Sequence, residues 1–595
     1  MWIAGVHCGH NSGVCLLKDG EIVFSIEEER LSRYKYDDGP FLSLLKIKEY
    51  TDKLDYLVFS GQHLLNSSSN LMSVPFTGEH AYISFARKLG LIDTKNLKQE
   101  IVDLSSEHHL LHAASAFYKS GFESAVVLVS DGSGSFIKTK HFEGFEQESI
   151  FVCEYPNRID PLYKHIGGSA ENPTSFHVKN YAINNDSIIE LMYNDIGSGG
   201  IAKAYEAVTY SLRFHGLEAG KVMGLSPYGN PNADISNTLV NATKCGLKRT
   251  NKNFVLSRLP GYAGIDDCQS VLDVEYDSNV LVEDLTTLQS MRDLAYKVQV
   301  ETQEAILELI YKAVEMSGKN KVVLSGGYGM NCVANYFYLD KLNKKNIEFF
   351  VDPVCNDSGL AEGAALIWHY AKTQDLLLRN KIVSLYRGPK NDYDINDVRE
   401  VVSKYDADIN EFVSKADIVK LLKSKNIVAL YQGRSENGPR ALGNRSLLFD
   451  PTFEDGKDFV NRVKRREYFR PFAGSILHEH AHEWFDMKGL EESPFMMYAM
   501  NCNEGYAEKI PSIIHVDGTC RIQTVKREQN PHYYDIIEEF YNQSGIPIIF
   551  NTSFNLGGEP LVETLDDAVR TLANSDIEYL YLPEFEILIT VQNRK

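Results

Sequence analysis

The first residues of the chain alternate between short apolar runs and polar turns. The run IAGV is followed by the glycine-containing turn CGHNSG, then by VCLL, the turn KDG and the run EIVFSIEEE. Short apolar runs separated by Gly, Asn and Asp are typical of strands joined by tight turns. The N-terminus is therefore predicted to be a strand–turn–strand element, and Glu27–Arg30 at its end is predicted to be a solvated or domain-contact charge run.

Strand-like and helix-like segments alternate along the following 300 residues. Apolar runs that resemble buried strands are separated by segments such as Met291–Met316, whose apolar residues recur at spacings of three and four. That spacing is typical of an amphipathic helix, and alternation of the two patterns indicates an α/β fold. The predicted strands are Leu57–Ser60, Ala125–Ser130, Lys321–Ser325 and Glu348–Val351.

A change of pattern near residues 382–400 predicts a domain boundary. The polar segment IVSLYRGPKNDYD contains a Gly-Pro pair and is followed by the new helical pattern DINDVREVVSKY. The later part is again α/β, with the strand-like runs NIVALYQG, AGSIL and PIIFNTSF and the helix-like runs HYYDIIEEFYNQSG and ETLDDAVRTLANS. We predict one domain over residues 1–385 and a second over 386–595, and find no tandem repeat of fixed period.

Composition narrows the class of protein. The 595 residues are 43 % hydrophobic, which is ample for large cores, and the net charge of −20 makes polymeric nucleic acid an improbable partner. The nine cysteines form no Cys-x-x-Cys pair, as expected of thiols in a reducing cytosol. Without a signal-peptide pattern or an apolar run of about 20 residues, the protein is predicted to be cytoplasmic and not membrane-bound.

A histidine pair and two distant carboxylates form the first candidate site. His108 and His112 are four residues apart in a predicted helix, so both rings emerge on one face. Asp131 and Asp357 each follow a predicted strand in a polar segment. Two imidazoles with carboxylates suit Fe(II), Mn(II) or Zn(II). The alternative is that the two histidines are ordinary surface or helix-cap residues.

Glycine-rich turns form the second candidate site. Ser325–Asn335 (SGGYGMNCVAN) follows an apolar strand, and glycine lets backbone N–H groups approach a phosphate or ribose closely. The hairpin turn Gly9–Gly13 would suit a phosphate loop of the actin/sugar-kinase/heat-shock ATPase superfold, with His10 as a titratable group beside it. The alternatives are that these glycines only form turns and that His10 bonds its own backbone.

Basic residues of the acidic chain concentrate within about 40 residues of its C-terminal half. Arginine forks bind carboxylate and phosphate oxygens in pairs, so this cluster predicts an anion site to which Arg521 and Ser553 would also contribute. The alternative is that these arginines pair with acidic residues at domain contacts. The cluster comprises Arg434, Arg440, Arg445, Lys464, Arg466 and Arg470.

Together these motifs make the chain resemble the O-carbamoyltransferases of the NodU/CmcH family, which includes the tobramycin carbamoyltransferase. The resemblance covers nearly the whole chain in order, and its most specific strings are GPRALGNRS and NTSFN. It implies a TsaD-like N-terminal domain on the actin-like ATPase superfold, fused to a YrdC-like α/β C-terminal domain. It also implies an enzyme that transfers a carbamoyl group to a hydroxyl group.

The resemblance implies a two-step reaction. Carbamoyl phosphate and ATP would give carbamoyl adenylate in the YrdC-like domain, with Mg²⁺ accompanying the ATP. The intermediate would move through the interior to the TsaD-like domain, where a metal, usually iron as Fe(II), helps transfer. A homodimer is the candidate assembly.

The resemblance also implies residue roles, matched motif by motif. His10 would be the base at the acceptor hydroxyl, although Asn11 follows it where the family often has Asp, so this neighbour is expected to orient the ring less strongly. The metal ligands would be His108, His112, Asp131 and Asp357. The residues holding carbamoyl phosphate and the ATP phosphates would be Arg440, Lys464, Arg470, Arg521 and Ser553. The adenylate pocket would be lined by Ser325, Gly326, Gly327 and Asn331.

The acceptor and two other functions stay open. Family acceptors include sugars and antibiotics, and a hydroxymethylated pyrimidine nucleotide is a further candidate. One alternative function is a threonylcarbamoyladenosine-type RNA modifier, which shares the metal and nucleotide loops but normally lacks the fused carbamoyl phosphate domain. The other is a non-catalytic nucleotide-binding protein.

Overall fold

The computed structural model describes residues 1–61, 80–93, 101–138, 143–169, 177–181, 188–196, 200–232, 235, 241–243, 246–248, 282–377 and 381–592. Within these ranges the chain forms two compact units. Unit 1 comprises residues 1–23 and 39–382, and unit 2 comprises residues 24–38 and 383–595. The division therefore falls three residues before the position chosen from sequence, and the segment 24–38, which sequence assigned to the first domain, belongs to unit 2.

Strands and helices alternate in unit 1, as the sequence pattern predicted. The strands are β1 Trp2–Cys8, β2 Gly13–Lys18, β3 Glu21–Glu27 (which continues into unit 2), β4 Tyr56–Gly61, β5 Ile101–Asp103, β6 Ser124–Ser130, β7 Phe136–Lys138, β8 Glu143–Glu154, β9 Arg158–Ser169, β10 His177–Tyr181, β11 Ile188–Ile196, β12 Asn241–Thr243, β13 Gly246–Lys248, β14 Lys321–Ser325 and β15 Glu348–Val351. The helices are α2 Phe41–Lys46, α3 Ala81–Lys88, α4 His108–Ser120, α5 Ile201–Ser211, α6 Ala219–Leu225, α7 Val282–Thr287, α8 Gln289–Ser317, α9 Cys332–Asn343 and α10 Ser358–Thr373, while α1 Glu28–Ser32 lies in unit 2.

The two large sheets associated with unit 1 share one topology. The first has the order β3-β2-β1-β4-β5, with β1 antiparallel to β2 and parallel to β4. The second contains β9-β8-β6-β14-β15, with β6 antiparallel to β8 and parallel to β14. A topological repeat is therefore present although the sequence shows no repeat of fixed period, because each half keeps only the pattern of strands and turns.

Unit 2 is built on one mixed sheet of nine strands in the order β16-β24-β23-β17-β18-β22-β19-β21-β20. Its strands are β16 Ala407–Asn410, β17 Val428–Tyr431, β18 Arg445–Phe449, β19 Ala473–Leu477, β20 Ala499–Asn501, β21 Thr519–Val525, β22 Ile548–Ser553, β23 Tyr579–Leu582 and β24 Ile587–Val591. Its remaining helices are α11 Ile395–Val402, α12 Lys415–Lys423, α13 Gly456–Val463, α14 Ala481–Trp484, α15 Pro531–Ser544 and α16 Leu565–Ala573.

The core of unit 2 lies between the sheet and helices α12 and α15. Ile418 and Leu422 of α12 and Ile537 and Phe540 of α15 are fully buried against apolar strand residues such as Val428. Burying a side chain of this size stabilises the folded state by about 1.5–3 kcal/mol. The two helices therefore hold in place the sheet that carries the basic cluster. No helix in the described part of the chain is both long and apolar enough to cross a bilayer.

The segment Glu27–Arg30 is buried, so of its two predicted settings, a solvated or a domain-contact charge run, the solvated one is wrong. Each of its four side chains is at most 5 % exposed. Arg30 donates to the backbone carbonyls of Glu436 and Gly438, and Glu27 lies 3.7 Å from the same guanidinium. The charges are tolerated because hydrogen bonds within unit 2 replace those to water.

Candidate functional site

The two predicted ligand histidines lie in the first turns of the buried helix α4. A hydrogen bond from the backbone N–H of His108 to Ser135 Oγ (3.0 Å) satisfies one of the donors at the start of this helix. The spacing of four residues places the rings together, with 3.2 Å between His108 Nε2 and His112 Nε2. Both residues are at most 7 % exposed, so the alternative of ordinary surface histidines is wrong.

The two carboxylates join these rings from the ends of two strands. Asp131 directly follows β6, and its Oδ2 lies 3.4 Å from His108 Nε2. Asp357 lies in the loop between β15 and α10, and its Oδ1 is 3.6 Å from His108 Nε2 and 3.5 Å from His112 Nε2. One ligand atom from each of the four residues lies within 4.8 Å of the others. We call His108, His112, Asp131 and Asp357 the His/Asp cluster.

The electrostatics of the His/Asp cluster suit a cation. Burial alone would raise the pKa of Asp357, but the facing imidazoles of His10 and His108 hold it well below its usual range. Burial would lower the pKa of His108, yet Asp357 and Asp131 raise it to about 10. The two carboxylates are thus ionised in a buried site, since the pKa of Asp131 is also lowered. A metal would displace the proton of His108, because imidazole binds metals in its neutral form. Two imidazoles with two carboxylates form the donor set of a borderline divalent metal.

The N-terminal histidines face the other oxygen of Asp357. His10 Nε2 lies 3.4 Å from Asp357 Oδ2, and His10 Nδ1 lies 3.2 Å from Asn11 Oδ1. The His10 side chain is 37 % exposed, so it borders both the cluster and solvent. His7, which sequence reasoning did not single out, is buried with its Nε2 3.9 Å from Asp357 Oδ2. Its position three residues before His10 was the only sequence signal.

The predicted adenylate residues adjoin the His/Asp cluster. The backbone N–H of Gly327 donates to Asp131 Oδ1 (2.7 Å). Gly326 has a φ of +87°, and a Cβ there would lie 2.2 Å from the carbonyl oxygen of Ser130, so the turn requires glycine. Ser325 is fully buried, and its hydroxyl has no hydrogen-bond partner among the described residues. Asn331 differs, because its side chain caps α9 and bonds Gln299.

A separate cationic pocket lies in unit 2, beside the end of β22. Lys464, just after α13, donates to the backbone carbonyl of Ser553 and lies 3.3 Å from its hydroxyl. Burial and the nearby charges of Arg466 and Arg470 lower the pKa of Lys464 well below its ordinary value. Arg521 is close enough to act in the same way on Arg466. We call Lys464, Arg466, Arg470, Arg521 and Ser553 the cationic pocket.

Arg466 belongs to the cationic pocket, although neither its motif nor the family resemblance implied an individual role for it. It is half-buried, it stacks over Phe472, and its Nη1 lies 3.4 Å from Thr552 Oγ1. Its buried Nε has no hydrogen-bond partner in the described part of the chain. A half-buried cation with an unused donor beside other cations is an arrangement that an anion would stabilise.

Two other arginines of the basic cluster, Arg445 and Arg434, donate to backbone carbonyls. Arg445 is fully buried, stacks on Tyr431 at 3.8 Å and donates to the carbonyls of Gln432 and Gly433. Arg434 donates to the carbonyls of Arg387 and Gly388. These two arginines therefore stabilise the loop that carries Arg440. Arg440 itself is half-buried next to Ala441, whose carbonyl accepts from Asn551 Nδ2 of β22 (3.2 Å).

Two family models together match most of the chain. The family model described as carbamoyltransferase N-terminus matches residues 47–366, and the one described as carbamoyltransferase C-terminus matches residues 419–588. These matches make the protein an enzyme, a transferase. It belongs to the carbamoyltransferase family, which confirms the resemblance drawn from its motifs.

Three relatives each match more than half of this chain. Nodulation protein NolNO of Sinorhizobium fredii is 30 % identical over 97 % of this chain and 79 % of its own length. The 3'-hydroxymethylcephem-O-carbamoyltransferase of Amycolatopsis lactamdurans is 28 % identical over 59 % of this chain and 61 % of its own. An uncharacterized protein of Synechocystis is 29 % identical over 98 % of this chain and 96 % of its own.

Among solved structures, full-length HypF in a phosphate- and nucleotide-bound form matches with a TM-score of 0.36 and 13 % identity, covering 62 % of this chain and 46 % of HypF. A glucokinase of the ROK family from Streptomyces griseus matches with a TM-score of 0.28 and 9 % identity, covering 62 % of this chain and 99 % of the kinase. The α/β architecture itself is given by the sheet orders described above.

Proposed function

We propose that the protein is an ATP-dependent O-carbamoyltransferase that works in two steps. In the first step, water cleaves carbamoyl phosphate to carbamate and inorganic phosphate, and a carbamate oxygen then attacks the α-phosphorus of ATP to give carbamoyl adenylate, with pyrophosphate as the leaving group. In the second step, an acceptor hydroxyl attacks the carbamoyl carbon and AMP leaves. The observation that carries this proposal is the presence, in one carbamoyltransferase chain, of both a His/Asp cluster and a cationic pocket.

We assign the first step to unit 2, which we propose to be the YrdC-like domain. Lys464, Arg466, Arg470 and Arg521 would offset the charge of carbamoyl phosphate and the ATP phosphates, with Arg440 contributing from its loop and Ser553 donating a hydroxyl hydrogen bond. Preorganised cations of this kind stabilise charge that develops during transfer of a phosphate group. Mg²⁺ would accompany the ATP.

We assign the second step to unit 1, whose repeated sheet topology supports the actin-like, TsaD-like fold. His108, His112, Asp131 and Asp357 would hold a divalent cation, with Fe(II) as our choice. When bound, such a cation stabilises negative charge on a carbonyl or phosphate oxygen as a Lewis acid. Ser325, Gly326 and Gly327 would bind the adenylate, with Asn331 keeping α9 in place beside them.

His10 would accept the proton of the attacking hydroxyl. Its partly exposed ring can reach a substrate. Its Nε2 lies next to Asp357 Oδ2, so the proposed base contacts one of the carboxylates that would hold the cation. We propose a sugar or antibiotic type of small molecule, or a hydroxymethylated pyrimidine nucleotide, as acceptor. We propose that the acceptor is held by the segments 62–100 and 150–200, which carry none of the motifs named above and lie partly outside the described residues.

Two measurements test this proposal. Incubation with ATP and carbamoyl phosphate should release pyrophosphate without any acceptor, which an RNA modifier lacking this activity or a non-catalytic binding protein would not do. A mass-spectrometric screen of hydroxyl compounds should then find acceptors that gain one carbamoyl group. Nucleotide binding without pyrophosphate release would contradict the two-step reaction.

A further inference from the structure

A polar stripe runs along one face of the buried helix α4 and continues beyond the His/Asp cluster. His108, His112, Ser115 and Lys119 are spaced by four, three and four residues, so they lie on the same face. All 13 residues of this helix are buried. A line of polar side chains on such a helix is costly unless each of them is hydrogen-bonded or paired.

The far end of the stripe is a buried ion triad. Lys119 Nζ lies 2.8 Å from Asp352 Oδ1 and 2.7 Å from Glu362 Oε2. Ser115 donates to Asp352 Oδ2 at 3.2 Å, and the backbone N–H of Val354 donates to Asp352 Oδ1 at 3.0 Å. Lys119, Asp352 and Glu362 are at most 4 % exposed. Asp352 and Glu362 raise the pKa of Lys119 although burial lowers it, so the amine stays charged.

The two acidic partners flank Asp357 in the chain. Asp352 begins the loop that leads from β15 to Asp357, and Glu362 lies in the second turn of α10, which starts directly after Asp357. Lys119 therefore ties both ends of the segment carrying Asp357 to the helix carrying His108 and His112. The two helices also touch, since a Cβ on Gly363 would lie 2.1 Å from the carbonyl oxygen of Leu111.

We propose that Lys119 is a positioning residue for the cation site, which through Asp352 and Glu362 holds Asp357 at ligand distance from His108 and His112. This rests on the proposed cation site. Outer contacts of this kind commonly change metal affinity by about 10–100-fold. The triad fixes the ligands before the ion arrives, so less ordering is left to the binding step.

The test measures Co²⁺ binding by the full-length protein, using calorimetry and the visible absorption of the bound ion. Lys119→Met should raise the dissociation constant at least tenfold and change the Co²⁺ spectrum. A matched control is Asp293→Asn, which alters a buried carboxylate of unit 1 that bonds Asn230, Asn232 and Gln289 away from the stripe. This control should bind Co²⁺ like the parent protein.

A triple variant separates positioning from simple charge balance. Lys119→Met alone leaves two buried carboxylates without their cation, which endangers folding. Combining it with Asp352→Asn and Glu362→Gln removes all three charges, and neutral replacement of a buried ion group is often nearly neutral for stability. The triple variant should therefore fold, as judged by thermal unfolding of the metal-free protein, and should still bind Co²⁺ weakly.

The outcomes distinguish this proposal from the proposed function. If the parent protein does not bind Co²⁺, Fe²⁺ or Mn²⁺, the cation site itself is wrong and the role of Lys119 fails with it. If the parent binds and the triple variant binds equally well with the same spectrum, the cation site stands and the positioning role is overturned. Weak binding by a folded triple variant supports the proposal.

Discussion

Asp357 faces His10 with one carboxylate oxygen and the predicted ligand histidines with the other. The distance from His10 Nε2 to Asp357 Oδ2 is 3.4 Å, while Oδ1 lies within 3.6 Å of His108 and His112. One carboxylate thus joins the proposed base to the proposed cation ligands. Asn11, which stands where the family often has Asp, need not orient His10 alone, because Asp357 contacts the opposite nitrogen of the same ring.

The first prediction concerns His10 and the order of the two steps. His10→Ala should lower carbamoyl transfer by roughly 10²–10⁴-fold, the usual contribution of a general base, and leave pyrophosphate release unchanged. The measurement follows both products with one acceptor. The matched control is His482→Ala, which alters an exposed histidine of unit 2 and should affect neither step. Loss of both steps in His10→Ala would show that His10 is not specific to transfer.

The second prediction concerns Lys464 in the cationic pocket. Lys464→Ala should reduce ATP-dependent pyrophosphate release by roughly 10²–10³-fold, because a buried donor aimed at developing charge is lost. Co²⁺ binding should be unchanged. Lys420→Ala, which alters an exposed lysine of unit 2, serves as the control. Normal adenylate formation by Lys464→Ala would remove the assignment of the first step to this pocket.

Much of the fold could be predicted because strands and helices here follow local patterns. The strands Lys321–Ser325 and Glu348–Val351 have the predicted bounds, and the helix predicted over Met291–Met316 spans Gln289–Ser317. Helix α16 falls within the helix-like run ETLDDAVRTLANS and is capped by Thr564, which accepts from the N–H of Asp567. Apolar periodicity and capping act within a few residues, so a single sequence reveals them.

Only those residues of the candidate site that belong to a recognisable sequence motif could be predicted. The spacing of His108 and His112 is visible in the sequence, whereas Lys119, Asp352 and Glu362 meet only after two distant segments have packed together. The sequence did not distinguish Arg445, which donates to backbone carbonyls, from Arg466, which keeps an unused donor in the cationic pocket. Both arginines lie in similar segments rich in glycine and aromatic residues. Only the tertiary contacts show which arginine stabilises the fold by binding backbone carbonyls and which keeps donors that a ligand could use.

The third prediction concerns proton uptake when an anion enters the cationic pocket. Burial, Arg466 and Arg470 lower the pKa of Lys464 in the free protein. A bound anion favours the charged amine and raises this pKa, so the complex holds more protons than the free protein. Affinity for carbamoyl phosphate should therefore fall as the pH rises through the lowered pKa of Lys464.

Calorimetry in buffers of different ionisation enthalpy measures this uptake directly. Arg470→Gln provides a comparison, because removing one neighbouring positive charge should raise the pKa of Lys464 and reduce the number of protons taken up. Binding that releases protons, or that shows the same uptake in Lys464→Met, would contradict the assignment of the titrating group to Lys464.

The fourth prediction concerns the buried pair of Glu146 and Lys164 on strands β8 and β9. The two side chains form a salt bridge and are at most 5 % exposed, and Glu146 Oε2 also accepts from the N–H of Ser135 at 3.1 Å. Burial would raise the pKa of Glu146, but Lys164 lowers it to about 2. Because this pKa lies below that of an unfolded glutamate, the pair contributes stability above about pH 4.3 that is lost as the pH falls towards 2.

Removing Lys164 should reverse that dependence. Lys164→Met leaves an unpaired buried carboxylate, which should cost roughly 3–5 kcal/mol of unfolding free energy at pH 7. The pKa of Glu146 then rises above its unfolded value, so the loss should shrink as the pH falls and Glu146 becomes protonated. Urea unfolding at several pH values between 4 and 7 measures this, and the double variant Lys164→Met with Glu146→Gln should show a loss that is small and independent of pH. A pH-independent loss in the single variant would mean that Glu146 is not the group responsible.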